Sequence, residues 1–185
     1  MSHGRFMVLS MTTNRANPNE LVVCADKKLR PRWASRSNLC WQYFDHEWGR
    51  PPTDLNALLE ILILVVFQVG VTWHAVLVKR EGLKAAFADF DVATVAAFDE
   101  RDIERLLEDP RIFRNRRKIT AAITNAKAFL ALTETKGSLD TIIADSVRDP
   151  GDIVKELKQL GFTHIGPTSL SILRQAIGVG DLKAA

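Results

Sequence analysis

The sequence predicts an all-α protein, a helical bundle carrying a helix–hairpin–helix element near its C-terminus. Three observations carry that reading. Apolar residues recur at helical spacing from about residue 54 onward, no stretch alternates apolar and polar residues as a half-buried strand would, and two helical patterns near the end flank a short turn holding two glycines. With 185 residues, 46% of them hydrophobic and 25% charged, the chain suffices for one domain with a real core.

Taken in order, residues 1–37 lack sustained periodicity and contain Asn17-Pro18-Asn19, Lys27-Lys28 and Arg30-Pro31-Arg32. They read as a peripheral or loosely ordered lead-in, with a short strand or helix at Leu21–Cys24. The domain proper is expected over 38–185. Asp54 or Thr53 caps a helix that is apolar on nearly every side as far as Gln68, the pattern of a bundle's central helix. Gly70 stops it. Shorter helices follow over Trp73–Lys79, Leu83–Phe90, Thr94–Phe98 and Glu100–Leu107, and Asp109-Pro110 breaks the chain. Arg116–Leu132 is the clearest amphipathic helix, with Ile119, Ile123, Ala126 and Leu130 in register.

Composition narrows the function classes. The net charge of +3 permits an anionic partner without requiring one. Cys24 and Cys40 make no disulfide framework, which fits a reducing compartment. Leu55–Phe67 is the most apolar stretch and falls short of the ~20 residues a bilayer requires. Phe6–Met11 is too short for a signal-peptide core. A cytoplasmic protein with no membrane partner is expected.

The C-terminal pattern has its own chemistry. Asp152–Leu160 forms one helix, Gly161 sits at its C′ position, and Pro167 opens the next, with Leu170, Leu173 and Ile177 in register. Glycines at 161 and 166 let backbone N–H groups approach an anion, and the second helix points its positive end at it. His164, Thr168 and Ser169 add side-chain donors. Such a hairpin grips phosphates and reads no sequence. On the motif alone, an ordinary αα-hairpin whose glycines only solve the turn fits equally well.

Longer strings of residues resemble a known family. Tyr43-Phe44-Asp45-His46-Glu47-Trp48-Gly49-Arg50-Pro51 resembles the Tyr-His-Asp-x-Glu-Trp-Gly-x-Pro signature of the 3-methyladenine DNA glycosylase I family. Phe67 through Trp73, Val78 through Glu81, Phe87 through Asp91, Arg114 through Ile119 with Asn125-Ala126, and Gly161 through Thr168 are similar to further segments of it, in the same order. The resemblance spans about residues 40–180. It implies a DNA repair hydrolase that flips an alkylated, 3-methyladenine-like base from duplex DNA and cleaves its N-glycosidic bond. Extruding the base is needed because its glycosidic bond is out of reach inside the stack. A base methylated at N3 is cationic, and aromatic faces attract cations.

By the same resemblance the base pocket comprises Tyr43, Trp48, Val65, Gln68 and Trp73. Gly70 and Val71 form the wedge that fills the gap in the duplex. The DNA backbone is held by Gly161, His164, Gly166, Thr168 and Ser169, together with the basic run Arg114, Arg116, Arg117 and Lys118, whose plain alternative is a solvated helix start.

Three departures stand out. Val65 occupies the position of a family glutamate, Phe44 that of a histidine zinc ligand, and no Cys or His follows Gly178 where two further ligands would fall. Cys40 alone cannot make a four-coordinate site, so neither a metal nor another cofactor is expected. Asp45 and Glu47 are candidate substitutes for the missing carboxylate, and Asp181 a lesser one. The expected partner is double-stranded DNA with alkylated bases, bound by a monomer. The alternative is a non-catalytic DNA-binding or lesion-sensing protein that kept the hairpin and lost the chemistry.

Overall fold

A computed structural model describes residues 17–145 and 148–179. Its body is helical. A two-stranded antiparallel hairpin, β1 (Leu21–Val23) with β2 (Leu29–Pro31), leads into α1 (Asn38–His46), α2 (Leu55–Gln68), α3 (Trp73–Val78), α4 (Arg80–Ala86), α5 (Val92–Ala97) and α6 (Glu100–Glu108). Then come α7 (Arg116–Lys136), α8 (Leu139–Asp145), α9 (Pro150–Gln159) and α10 (Pro167–Ala176).

The central helix is α2, as its all-round apolar pattern requires. Asp54 caps it by accepting from the Ala57 amide at 2.8 Å, and Leu58, Leu59 and every residue from Leu62 to Phe67 are buried. α7 packs against α5, α2 and α6, while α10 packs against α2 and α9. No helix among the described residues is long and apolar enough to cross a membrane.

The lead-in and the stretch past Ala86 depart furthest from the sequence expectation. The lead-in is not peripheral throughout: Trp33 and Ala34 are buried in the core, and Arg30 is only 1% exposed. Arg30 reaches Asp45 with Nε at 2.8 Å and Nη2 at 2.5 Å, donates to both Asp26 oxygens, and lies 4.2 Å over the Trp41 ring. A bidentate, stacked guanidinium satisfies its donors in this way, so a buried charge is tolerated there. Leu21–Cys24, expected as a short strand or helix, holds the strand β1. The other difference lies past Ala86, where the expected helix does not continue to Phe90. Ala88, Asp89 and Phe90 turn with φ of 50°, 53° and 62°, which lets both Phe87 and Phe90 enter the core. Left-handed backbone at residues with a Cβ costs ~1–2 kcal/mol each, and apolar burial of two phenylalanines offsets it.

α9 starts two residues earlier than expected because Asp149 caps it, accepting from Gly151 N and Asp152 N, with Pro150 at the first position. At its far end α10 meets the residue after Trp48. Gly49 N donates to Ala176 O at 2.9 Å, and a Cβ on Gly178 would lie 2.5 Å from Gly49 O, so this backbone-to-backbone contact excludes a side chain.

Candidate functional site

Four rings from four places in the chain form one cluster, and its three tryptophans make the floor of a cleft. Trp33 and Trp48 are 5.0 Å apart between centroids, Trp48 and Trp73 5.3 Å, and Trp33 and Trp73 5.5 Å. Tyr43 touches all three, at 5.5 Å from Trp73 and 6.0 Å from Trp48. Trp33 closes off the lead-in, Tyr43 sits on α1, Trp48 just past it, and Trp73 opens α3 behind the Thr72 cap. Tilted and edge-on contacts dominate, as expected for rings with negative faces and positive edges.

The cleft above this floor holds about 610 Å³, within the ~300–1,000 Å³ usual for small-ligand sites. Trp33, Trp48, Gln68, Val69, Gly70, Val71 and Trp73 line it from one side of the sequence, Thr168 and Ser169 from the other. Among the described residues its wall contains no Asp or Glu.

The turn between α2 and α3 is built for its position. Val69 (φ −52°, ψ 116°) and Gly70 (φ 80°), with Val71 N donating to Gln68 O at 2.9 Å, make a type II turn, whose third residue needs positive φ. Gln68 Nε2 donates to Val71 O at 3.2 Å, and Lys118 Nζ donates to Phe67 O at 2.7 Å and Val69 O at 2.6 Å. Burial pushes the Lys118 ammonium below its usual value. The two carbonyls at the C-terminal end of α2 favour its charged form. Val69, 44% exposed, is the apolar tip of the turn, while Val71 is half-buried.

A comparable device holds the turn between α9 and α10. Asn125, 0% exposed on α7, accepts from Thr163 N at 2.7 Å and donates to Thr163 O at 3.1 Å. Gly161 (φ 91°) and His164 (φ 57°) adopt left-handed backbone around this anchor. Gly166 leads into α10, whose first-turn amides at Thr168 and Ser169 have no intrahelical partner.

The expected site residues therefore separate into groups. Trp48, Gln68, Trp73, Gly70, Val71, Thr168 and Ser169 come together on the cleft. Gly161, His164 and Gly166 lie on the adjoining hairpin turn. Val65 is not on the cleft wall: it is 0% exposed inside α2, where the helix turns it into the core. Tyr43 belongs to the ring cluster but lines a second pocket, with Glu47, Glu60 and Arg80, rather than the cleft.

Neither acidic candidate is poised for proton transfer in the cleft. Asp45 is spent on Arg30, whose hydrogen bond holds its carboxyl below the usual range. Glu47 receives both Arg80 Nη1 (2.8 Å) and Nη2 (2.7 Å), and Glu60 accepts from Arg80 Nε at 2.6 Å. Burial alone would lower the Arg80 guanidinium, but these carboxylates hold it above its ordinary value. It lies 5.7 Å over Tyr43, whose hydroxyl burial raises well above the usual range, with Arg80 pulling the other way. Asp181 lies outside the described residues.

The basic run also divides. Lys118 serves the α2–α3 turn, and Arg116 is paired with Glu100 and Glu104. Neither is a spare cation for phosphate in this structure. Arg114 and Arg117 stay exposed, with no ion pair among the described residues. Cys40 is buried in the core, its thiol pushed up by burial, and no three His, Cys, Asp or Glu side chains cluster as a metal site among the described residues.

Trp33 and Asn125 were not legible as site residues. A lone tryptophan in a Pro- and Arg-rich lead-in was the signal for the first. Asn125 sits on a helix face otherwise filled by Ile119, Ala122 and Ala126, and a polar residue in such a stripe asks for a partner.

Residues 33–152 match the family described as methyladenine glycosylase. The chain is 36% identical over 166 residues to DNA-3-methyladenine glycosylase 1 of Escherichia coli, covering 80% of this chain and 89% of that protein. It is 30% identical to DNA-3-methyladenine glycosylase of Haemophilus influenzae, covering 80% and 91%. The fold superposes on 3-methyladenine DNA glycosylase I from Staphylococcus aureus with a TM-score of 0.74 at 29% identity, covering 79% of this chain and 88% of that one.

Proposed function

This chain belongs to the methyladenine glycosylase family, and we propose that it excises 3-methyladenine from duplex DNA by using the aromatic cleft as the pocket for the flipped base. The observation that carries this reading is the company the cleft keeps: three tryptophans as floor, a rigid apolar turn at one rim and the first turn of α10 at another. The rings attract the cationic base, Val69 and Val71 enter the space it leaves, and the α9–α10 hairpin holds backbone phosphate through Thr168, Ser169 and the amides around Gly161, His164 and Gly166. Arg114 and Arg117 add salt-sensitive phosphate contacts.

Hydrolysis adds water at C1′ of the sugar as the C1′–N9 bond breaks: the bonding pair goes to N9, the base leaves as neutral 3-methyladenine, and the added water gives up one proton to solvent. The positive charge already on the base makes it a good leaving group. With no carboxylate on the cleft wall among the described residues, this lability and the pocket's hold on the flipped base do what a positioned acid would otherwise supply. The same absence favours a second reading, a lesion-binding protein without turnover.

Release of free 3-methyladenine from methylated duplex DNA by the purified protein decides between them. Excision that falls by ~10²-fold or more in Trp73→Ala supports the glycosylase. Tight, salt-sensitive duplex binding without release selects the lesion-binding reading.

A further inference from the structure

Among the described residues the cleft carries a fixed charge at Arg36 alone, and its sign is wrong for the base. Arg36, the last residue of the 3-10 turn Ala34–Arg36, lines the cleft, is exposed, and has no ion pair among the described residues. Beside it, Ser37 caps α1 by accepting from Cys40 N at 3.2 Å, and its hydroxyl meets His74 Nδ1 at 2.9 Å. His74, the second residue of α3, also lines the cleft. With Nδ1 engaged by Ser37, only the Nε2 edge of the ring is left for a ligand.

An arginine next to a pocket for a cationic base repels that base. Among the described residues no carboxylate on the cleft wall neutralises it. The arrangement becomes favourable once an anion sits against Arg36, and a flipped nucleotide brings one, because its base cannot enter the cleft without its flanking phosphates reaching the rim.

We propose that Arg36 and His74 form a second phosphate grip, holding a phosphodiester that flanks the flipped nucleotide, in addition to the contacts that Thr168 and Ser169 supply. This rests on the base-flipping reading above. The Ser37–His74 bond ties the turn before α1 to α3, so the two gripping side chains are set by the same elements that carry Trp33 and Trp73. Base floor and phosphate grip then form one rigid unit.

The test is binding of the full chain to duplex DNA containing a tetrahydrofuran abasic site, measured by fluorescence anisotropy across a salt series. Arg36→Gln is expected to weaken binding about 5-fold at ~0.1 M salt and to lower the slope of log K against log salt by about one contact's worth. His74→Gln weakens it by a smaller factor. Replacing the phosphates around the site one at a time by neutral methylphosphonate should find one position where wild type loses affinity and Arg36→Gln does not. Affinity for free 3-methyladenine, read from tryptophan fluorescence, should stay at the wild-type level in Arg36→Gln, since the released base is neutral and brings no phosphate; a merely structural role would lower it. An unchanged salt slope with wild-type sensitivity at every methylphosphonate overturns the grip. Wild-type protein that binds free 3-methyladenine but no duplex overturns it too, while protein that binds neither overturns the glycosylase reading itself.

Discussion

The two turns that border the cleft are held by the same helix with opposite chemistry. Near its start, α7 holds the α2–α3 turn with a charged lysine that stays half-buried. Two turns further on, it holds the α9–α10 turn with a neutral amide that is wholly buried. A carboxamide matches a backbone N–H and C=O at once and can be sealed from water at modest cost. An ammonium is a donor only, and sealing it off would cost far more. So the amide clamp is suited to the interior, and the lysine clamp to a turn at the mouth of a cleft.

Removing the amide should have the largest effect. Asn125→Ala leaves both Thr163 backbone groups without their partner and opens a small void, for a loss of ~2–4 kcal/mol by urea denaturation. Duplex affinity should fall with it, because the hairpin turn is no longer fixed. A loss below ~0.5 kcal/mol would show that the turn holds itself and that the comparison fails.

Lys118→Met keeps the aliphatic stem and removes the donor. It should cost ~1–2 kcal/mol and cut base excision several-fold while leaving binding of undamaged duplex nearly unchanged. Equal losses in both assays would instead make Lys118 a direct phosphate contact. Gly70→Ala acts on the same turn without touching the clamp. Nothing lies within 4 Å of the added Cβ, so only the positive φ is penalised, at ~1 kcal/mol, and the midpoint of unfolding should move accordingly.

The smallest effect separates the clamps by pH. The folded-state value of Lys118 lies below that of the unfolded chain, so between the two the unfolded state holds the extra proton. Stability from this group therefore rises with pH through that window, which ends near the usual lysine value of ~10.4. The difference between wild type and Lys118→Met should grow with alkaline pH. The difference between wild type and Asn125→Ala should not.

This pairing also marks where sequence reasoning stops. Helices α2 and α7 follow from apolar spacing, and Pro167 with the two glycines locates the hairpin, because these signals are local. The roles of charged residues are not local. Lys118 looks like one more cation in a basic run until its acceptors, 49 and 51 residues away, are placed beside it. Asp45 and Glu47 resemble acid–base candidates until Arg30 and Arg80, 15 and 33 positions distant, claim them. Val65 aligns with a pocket position, yet side-chain direction on α2 is fixed by packing and turns it inward. Three consecutive left-handed residues at Ala88–Phe90 follow from core geometry that no turn propensity announces.

One last feature concerns α10. Its first turn lines the cleft at Thr168 and Ser169, and its far end is locked to Gly49, next to Trp48, by contact too close for any side chain. On the proposed reading it is a strut joining the place where the strand is gripped to the place where the base is housed. The distance between grip and housing is set before any DNA arrives. On the proposed reading the duplex is then the compliant body: bending and unstacking are borne by the nucleic acid, and sites that deform easily, such as those weakened by damage, are the ones that fit.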